Sequence, residues 1–128
     1  MAEHDSTALE VARDYFQAWT RHDFDTAMTY VSDDIVCQAP AGELTGAEAF
    51  RGFMEPFSRL LTRADLVAAF GDDTTAVLIY DTETLPVPHA PAGECITVAD
   101  GKITRLQIIF DRLPFDTARR AATPGPEI

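Results

Sequence analysis

The order of elements in this 128-residue chain predicts an α+β fold. Three features carry that reading. Amphipathic helical patterns dominate the first half, and β-rich runs separated by turn residues fill the second, from Ala64 onward. Asp100-Gly101 joins two apolar runs within GECITVADGKITRLQIIFD, and Asp-Gly between such runs is the strongest short-range hairpin signal. Helices gathered ahead of consecutive antiparallel strands pack on one face of a curved sheet.

Thr7-Ala-Leu-Glu10 reads as a capping box opening a helix from about residue 7 to 21, with Leu9, Ala12, Phe16 and Trp19 on one stripe widened by Val11, Tyr15 and Ala18. Asp23 caps a short second helix whose edge is Phe24, Ala27, Met28 and Val31, and Asp33-Asp34 ends it. Ile35 to Ala39 reads as a strand halted by Pro40 and Gly42. A second capping box, Thr45 to Glu48, starts a third helix with Phe50, Phe53, Met54, Phe57, Leu60 and Leu61 facing the core. Pro56 lies inside it, which predicts a kink near Gly52 to Glu55 or two helical pieces. Ala64–Phe70 and Ala76–Thr84 form a hairpin, and three prolines make Leu85–Pro91 a stiff loop. The Asp100-Gly101 hairpin follows, both turn positions taking positive φ. Residues 7–115 make a single domain, and 116–128 read as a mobile, non-periodic tail.

Composition excludes several functions. A formal net charge of −11, with ten basic residues scattered among 21 acids, argues against nucleic acid or an anionic membrane surface as partner. No apolar run reaches the roughly 20 residues of a membrane span, and the N-terminus lacks the basic and apolar regions of a secretory signal. Cys37 and Cys95 match no metal spacing and read as reduced, buried residues of a cytoplasmic protein. No phosphate loop, metal spacing or serine-nucleophile motif is present, so no cofactor is expected.

Parity along the strands bears on assembly. Leu106, Ile108 and Phe110 point one way, while Ile103, Arg105, Gln107 and Ile109 point the other; Val77 and Ile79 oppose Ala76, Leu78 and Tyr80. A sheet with one face in water alternates more cleanly than this. A homodimer through the outer sheet face is the expectation.

The same order of elements, together with DYFQAWTRHDFDTAMTYVSDDIVCQAP and the closing DGKITRLQIIFD, resembles the nuclear-transport-factor-2-like superfamily over roughly residues 7–115. Within it the chain is most similar to the SnoaL-like, polyketide cyclase-like branch. The resemblance implies a cone-shaped half-barrel, a curved and mostly antiparallel sheet packed on three N-terminal helices with an apolar pocket between. Against ketosteroid isomerases, Tyr15 falls at the place of an oxyanion-binding tyrosine, but the general-base aspartate is replaced by Ala39 before Pro40, and the second oxyanion acid by Gly93. In SnoaL-like cyclases an aspartate ends the last strand, and Asp111 matches that place; the Gln-Leu-Gly that often follows is Arg-Leu-Pro here.

Asp111 and Tyr15 are therefore the candidate catalytic pair. An apolar site would raise the aspartate toward working pH for proton abstraction beside a carbonyl, and the tyrosine would donate to an oxyanion. Simple alternation places Asp111 off the Phe110 face, and its bland role is a strand-end charge that pairs Arg112 or caps a turn. Tyr15 is equally a core tyrosine at the pocket edge. Trp19, Phe53, Phe57, Tyr80, Leu106, Ile108 and Phe110 line a ligand site or fill a solid core. His89 is a switchable group or a solvated loop residue. Glu94 and Asp81 are strand carboxylates able to reach either face. Two functions follow. One is a cofactor-independent acid–base isomerase, cyclase or hydrolase acting on an apolar carbonyl or epoxide compound. The other is a non-catalytic module of the same fold that binds a small apolar molecule or assembles with itself. The side chains that enter the pocket discriminate them.

Overall fold

The computed structural model describes residues 7–85 and 87–122. Its elements are α1 (Thr7–Thr20), α2 (Phe24–Met28), β1 (Val31–Ala39), β2 (Gly42–Thr45), α3 (Ala47–Leu60), β3 (Leu61–Gly71), β4 (Thr75–Thr84), β5 (Ala90–Ala99), β6 (Lys102–Phe110) and α4 (Leu113–Ala122). One six-stranded sheet runs β2-β1-β6-β5-β4-β3. Every pairing is antiparallel except β1 with β6. The α+β reading holds: a curved, mostly antiparallel sheet carries the N-terminal helices on its concave face.

Local signals account for most boundaries. Asp23 caps α2, its carboxylate accepting from the Thr26 amide at 3.1 Å and the Thr26 hydroxyl at 2.7 Å. Asp100 and Gly101 take φ of 53° and 77° and close the β5–β6 hairpin, Ala99 facing Lys102. Asp72 folds back on the Thr74 and Thr75 amides at 2.9 and 3.0 Å to turn β3 into β4, and its carbonyl accepts from the Ala8 amide of α1 at 3.0 Å. Arg51 ties α3 to α2 through Asp25 and to its own next turn through Glu55, both at 2.7 Å.

Several elements depart from the sequence reading. Strand β2 is an addition: Pro40 to Gly42 turns a hairpin instead of ending a strand, and the four residues of β2 carry no apolar alternation to reveal it. Strand β1 begins at Val31 and passes through Asp33-Asp34, since its register against β6 jumps between Val31 and Val36 and bulges the two exposed acids outward. No capping box forms at α3; Thr45 belongs to β2, and Gly46, at φ 97°, makes the corner without a side-chain cap. The α3 helix continues through Pro56 as one element. The missing amide would have bonded to the Gly52 carbonyl, and the buried stripe of Phe50, Met54 and Ser58 holds the helix without it. The proline loop is shorter than expected, because Ala90 and Pro91 enter β5; Pro91 pairs with Asp81 one step before β6 joins at Ala92, where a missing donor is tolerated. Pro86 lies outside the described residues.

The largest correction is at the C-terminus. Residues read as the start of a mobile tail form α4, begun by the Asp111 carboxylate accepting from the Leu113 amide at 3.0 Å, with Pro114 in the first turn where its ring is well placed. Phe115 anchors it edge-on to Phe57 and Phe110, with ring centroids 5.9 and 5.7 Å apart. The rest of the expected tail, residues 123–128, lies outside the described residues. Among the described residues no helix is long and apolar enough to cross a membrane.

The core lies between the concave sheet face and α1, whose Ala8, Ala12, Tyr15, Phe16, Ala18 and Trp19 are all buried. The outer face has the expected parity except at Ile103, which is buried because the β5–β6 register shifts between Thr97 and Val98 and turns it inward. Phe70 is 71% exposed and Ile109 65%, with Val77 and Ile79 half-exposed between them. Cys95 is exposed on this face too, so the expectation of two buried cysteines holds only for Cys37. We propose that a second copy of the chain covers this surface. Sedimentation at tens of micromolar should give a dimer, and Ile109→Asp a folded monomer; a monomeric parent would remove the proposal.

Candidate functional site

Inward-facing positions on β4, β5 and β6 meet the helices at the wide end of the core. There α3 brings Phe53, Met54 and Phe57, the β1–β2 turn brings Ala39, Pro40 and Ala41, and β6 brings Ile108 and Phe110. Tyr80 and Thr82 of β4 and Ala90 and Ala92 of β5 complete the inner wall. Arg112 and, from α4, Phe115, Asp116 and Arg119 form the mouth. The cavity is open at this mouth and about 270 Å³ in volume, just under the usual range for ligand sites.

Behind Tyr80 sits Glu94. It is 1% exposed, and its register neighbours are Leu78 on one side and Ile108 on the other. Tyr80 lies diagonally across on β4, and its hydroxyl donates to Glu94 Oε2. Glu94 Oε1 has no partner, nor do two buried donors of α1, the Tyr15 hydroxyl and Trp19 Nε1. Burial penalises the carboxylate and pushes Glu94 up from 4.5 to about 7, against the opposing pull of the Tyr80 hydrogen bond. Burial, then the charge on Glu94, holds both Tyr15 and Tyr80 well above the ordinary tyrosine value. The same two causes push the Cys37 thiol to about 12, so that thiol stays protonated. Trp19 packs on Tyr80 and Phe57 at 5.7 and 6.0 Å, and Phe16 on Tyr80 at 5.0 Å, so the phenol ring is fixed by aromatic contacts.

The family model for the SnoaL-like domain matches residues 12–106. This chain belongs to the SnoaL-like family. Its fold is shared by an NTF2-like protein of Cytophaga hutchinsonii ATCC 33406, 21% identical with a TM-score of 0.72, the match covering 83% of this chain and 91% of that one. A protein of Kribbella flavida DSM 17836 is 61% identical, with a TM-score of 0.89, the match covering 93% of this chain and 98% of that one. A second protein of that organism, provisionally named a ketosteroid isomerase, is 14% identical with a TM-score of 0.69, covering 82% of this chain and 78% of its own. A provisionally named polyketide cyclase of Sinorhizobium meliloti is 20% identical with a TM-score of 0.69, covering 78% and 94%. At such low identities the likeness is one of fold. No curated protein matches.

Against the SnoaL-like expectation, the site residues divide. Phe53, Phe57, Tyr80, Ile108 and Phe110 line the cavity. Trp19 and Leu106 are buried behind its wall. Tyr15 is buried too, with its unpartnered hydroxyl in the field of Glu94 and off the cavity wall. Asp111 is exposed and turned from the cavity; its role is the bland one of the two foreseen, capping the turn into α4. His89 is exposed, its Nδ1 3.4 Å from Asp81 Oδ2, and lies outside the cavity. Gly93, assigned the place of an oxyanion acid, faces outward, where a Cβ would meet Ile79 Cδ1 at 3.2 Å. The acid is the next residue. Glu94 shares parity with Ile96 and Val98, both buried, and that alternation was the signal that could have placed it inward. Arg112, Phe115, Asp116 and Arg119 were missed because α4 was.

The raised Glu94 has a consequence for stability. Above pH 7 the fold holds a buried carboxylate at a cost of roughly 3 kcal/mol relative to the unfolded chain. Below about pH 4.5 both states are protonated and that cost is absent; between the two values the unfolded chain releases its proton first, so stability falls as pH rises. Thermal melts of Glu94→Gln against the parent should diverge over this window, the variant gaining at pH 8 and not at pH 4.5. Parallel melting curves at both pH values would refute the assignment.

Proposed function

We propose that the chain is a cofactor-independent acid–base enzyme acting on a small apolar carbonyl or epoxide compound, with Tyr80 and Glu94 as its proton-handling unit. The observation that carries this reading is a tyrosine of the cavity wall hydrogen-bonded to a buried carboxyl group poised near neutrality. With Glu94 ionised, the Tyr80 proton is held by Oε2 and turned from the cavity. With Glu94 protonated, the carboxyl can donate to the phenol oxygen, and the Tyr80 proton is free to point at a substrate oxygen. A carbonyl or epoxide oxygen gaining negative charge is then stabilised by a donor fixed in advance, in a site walled largely by carbon. Tyr15 and Trp19, unpartnered behind it, add fixed dipoles on the same side.

The second reading is a binding module. It is favoured by the wall itself: Glu94, Tyr15 and Trp19 do not reach it, and the Thr82 hydroxyl is already committed to the Ala90 carbonyl at 2.9 Å. Tyr80 is then simply an anchor for a ligand oxygen.

Deuterium exchange beside the carbonyl of aryl ketones, and opening of aryl epoxides, followed by NMR, separates the two. Acceleration should fall by about 10²-fold in Tyr80→Phe. Activity should decline above pH 7 in the parent, and that limb should vanish in Glu94→Gln. Ligand binding with no acceleration of either reaction would leave the module.

A further inference from the structure

The mouth of the cavity contradicts the charge of the chain. The molecule carries −11 overall, yet residues 112–120 hold Arg112, Arg119 and Arg120, three of its ten basic residues, against the single acid Asp116. Two of those arginines line the opening. Arg119 is held by Asp116 at 2.9 Å, whereas the Arg112 side chain has no hydrogen bond or ion pair among the described residues. It stands exposed where the backbone leaves β6, beside the apolar rings of Phe110 and Phe115. At the opposite, inner wall the polar groups are Tyr80 and Thr82, whose hydroxyl proton is committed to the Ala90 carbonyl.

We propose that the ligand is an amphipathic acid: an apolar body seated between Phe53, Phe57, Ile108 and Phe110, with a carboxylate at the mouth on Arg112 and its reacting oxygen inward at Tyr80. This rests on the catalytic reading only for the inward oxygen. The recognition is a charge-assisted hydrogen bond from a planar guanidinium, which pairs two donors with two carboxylate oxygens. The chain's acidity repels anions at long range, so a free cation at this one opening discriminates locally, within a Debye length of about 10 Å. Arg119, already neutralised, supports the opening more weakly.

The test uses ω-phenylalkanoates of graded chain length and the matching primary alcohols, titrated against the full chain with Trp19 fluorescence as the signal. At least one alkanoate should bind about tenfold tighter than its alcohol. The preference should be lost in Arg112→Gln, shrink with added salt, and persist in Arg13→Gln, a change at an exposed position of α1. Equal affinity of acids and alcohols, absence of alkanoate binding, or a preference unmoved in Arg112→Gln overturns the proposal. Tyr80→Phe and Glu94→Gln should keep the preference. Loss of chemistry there with the preference intact fails neither idea; chemistry present without a preference sinks this one alone, and a preference without chemistry sinks the enzyme alone.

Discussion

A carboxyl group between Leu78 and Ile108 in the middle of a sheet must be protonated or held by a donor, and Tyr80 is the donor this fold provides. That contact determines much around it. It aligns the phenol against Trp19 and Phe16 and sets the inner boundary of the cavity, while burial first and the charge on Glu94 second raise Tyr15, Tyr80 and Cys37 together. One hydrogen bond does not satisfy the group, because Oε1 is left bare along with the Tyr15 hydroxyl and Trp19 Nε1. Buried polar atoms without partners are uncommon and individually costly. A leucine at position 94 would match its neighbours and remove the penalty. A penalty of this size, against a total of roughly 5–15 kcal/mol, points to use rather than packing.

The architecture turns that arrangement into a site. The sheet's curvature and the lid made by α3 and α4 leave the wide end of the core unfilled, while α1 closes the narrow end completely. The proton-bearing pair sits where these two regions meet. Of the pair, Tyr80 belongs to both, lining the cavity while its hydroxyl donates to the buried acid. A substrate therefore meets two polar side chains inside, Tyr80 and a Thr82 whose hydroxyl proton is already committed to the Ala90 carbonyl, and charged groups outside. The chemistry this allows is short of bases: Asp116 is the sole carboxylate on the wall among the described residues, and Arg119 already occupies it. Under the proposed function the step is therefore donation to an oxygen, with the proton resupplied from behind.

How much of this was legible in the sequence depends on the kind of signal. Asp-Gly at 100–101 and the Asp23 cap act through local hydrogen bonds and φ preferences, and both appear as read. Strand β2 and helix α4 were not legible because tertiary packing makes them: β2 is four residues leaning on β1, and α4 is anchored chiefly by Phe115 against Phe57 and Phe110. Pro56 was given too much weight, since a stripe of buried contacts outlasts one lost hydrogen bond. The cavity wall was partly legible because helical spacing and strand parity both pointed its aromatic residues inward.

The acid was misplaced for a reason that applies to any strand. Matching by position put the candidate carboxylate at Asp111, the first residue past β6, and found only glycine on the neighbouring strand. Side chains alternate with a period of two, so an offset of one residue exchanges the inside for the outside. Asp111 follows Phe110 and leaves the sheet's inner face; Glu94 follows Gly93 and enters it. Counting inward from Ile96 and Val98 corrects both without any template. The fold sets the curvature of the sheet and leaves a hollow, but the parity of a single acid decides whether its carboxyl lies behind the wall of that hollow or out in solvent.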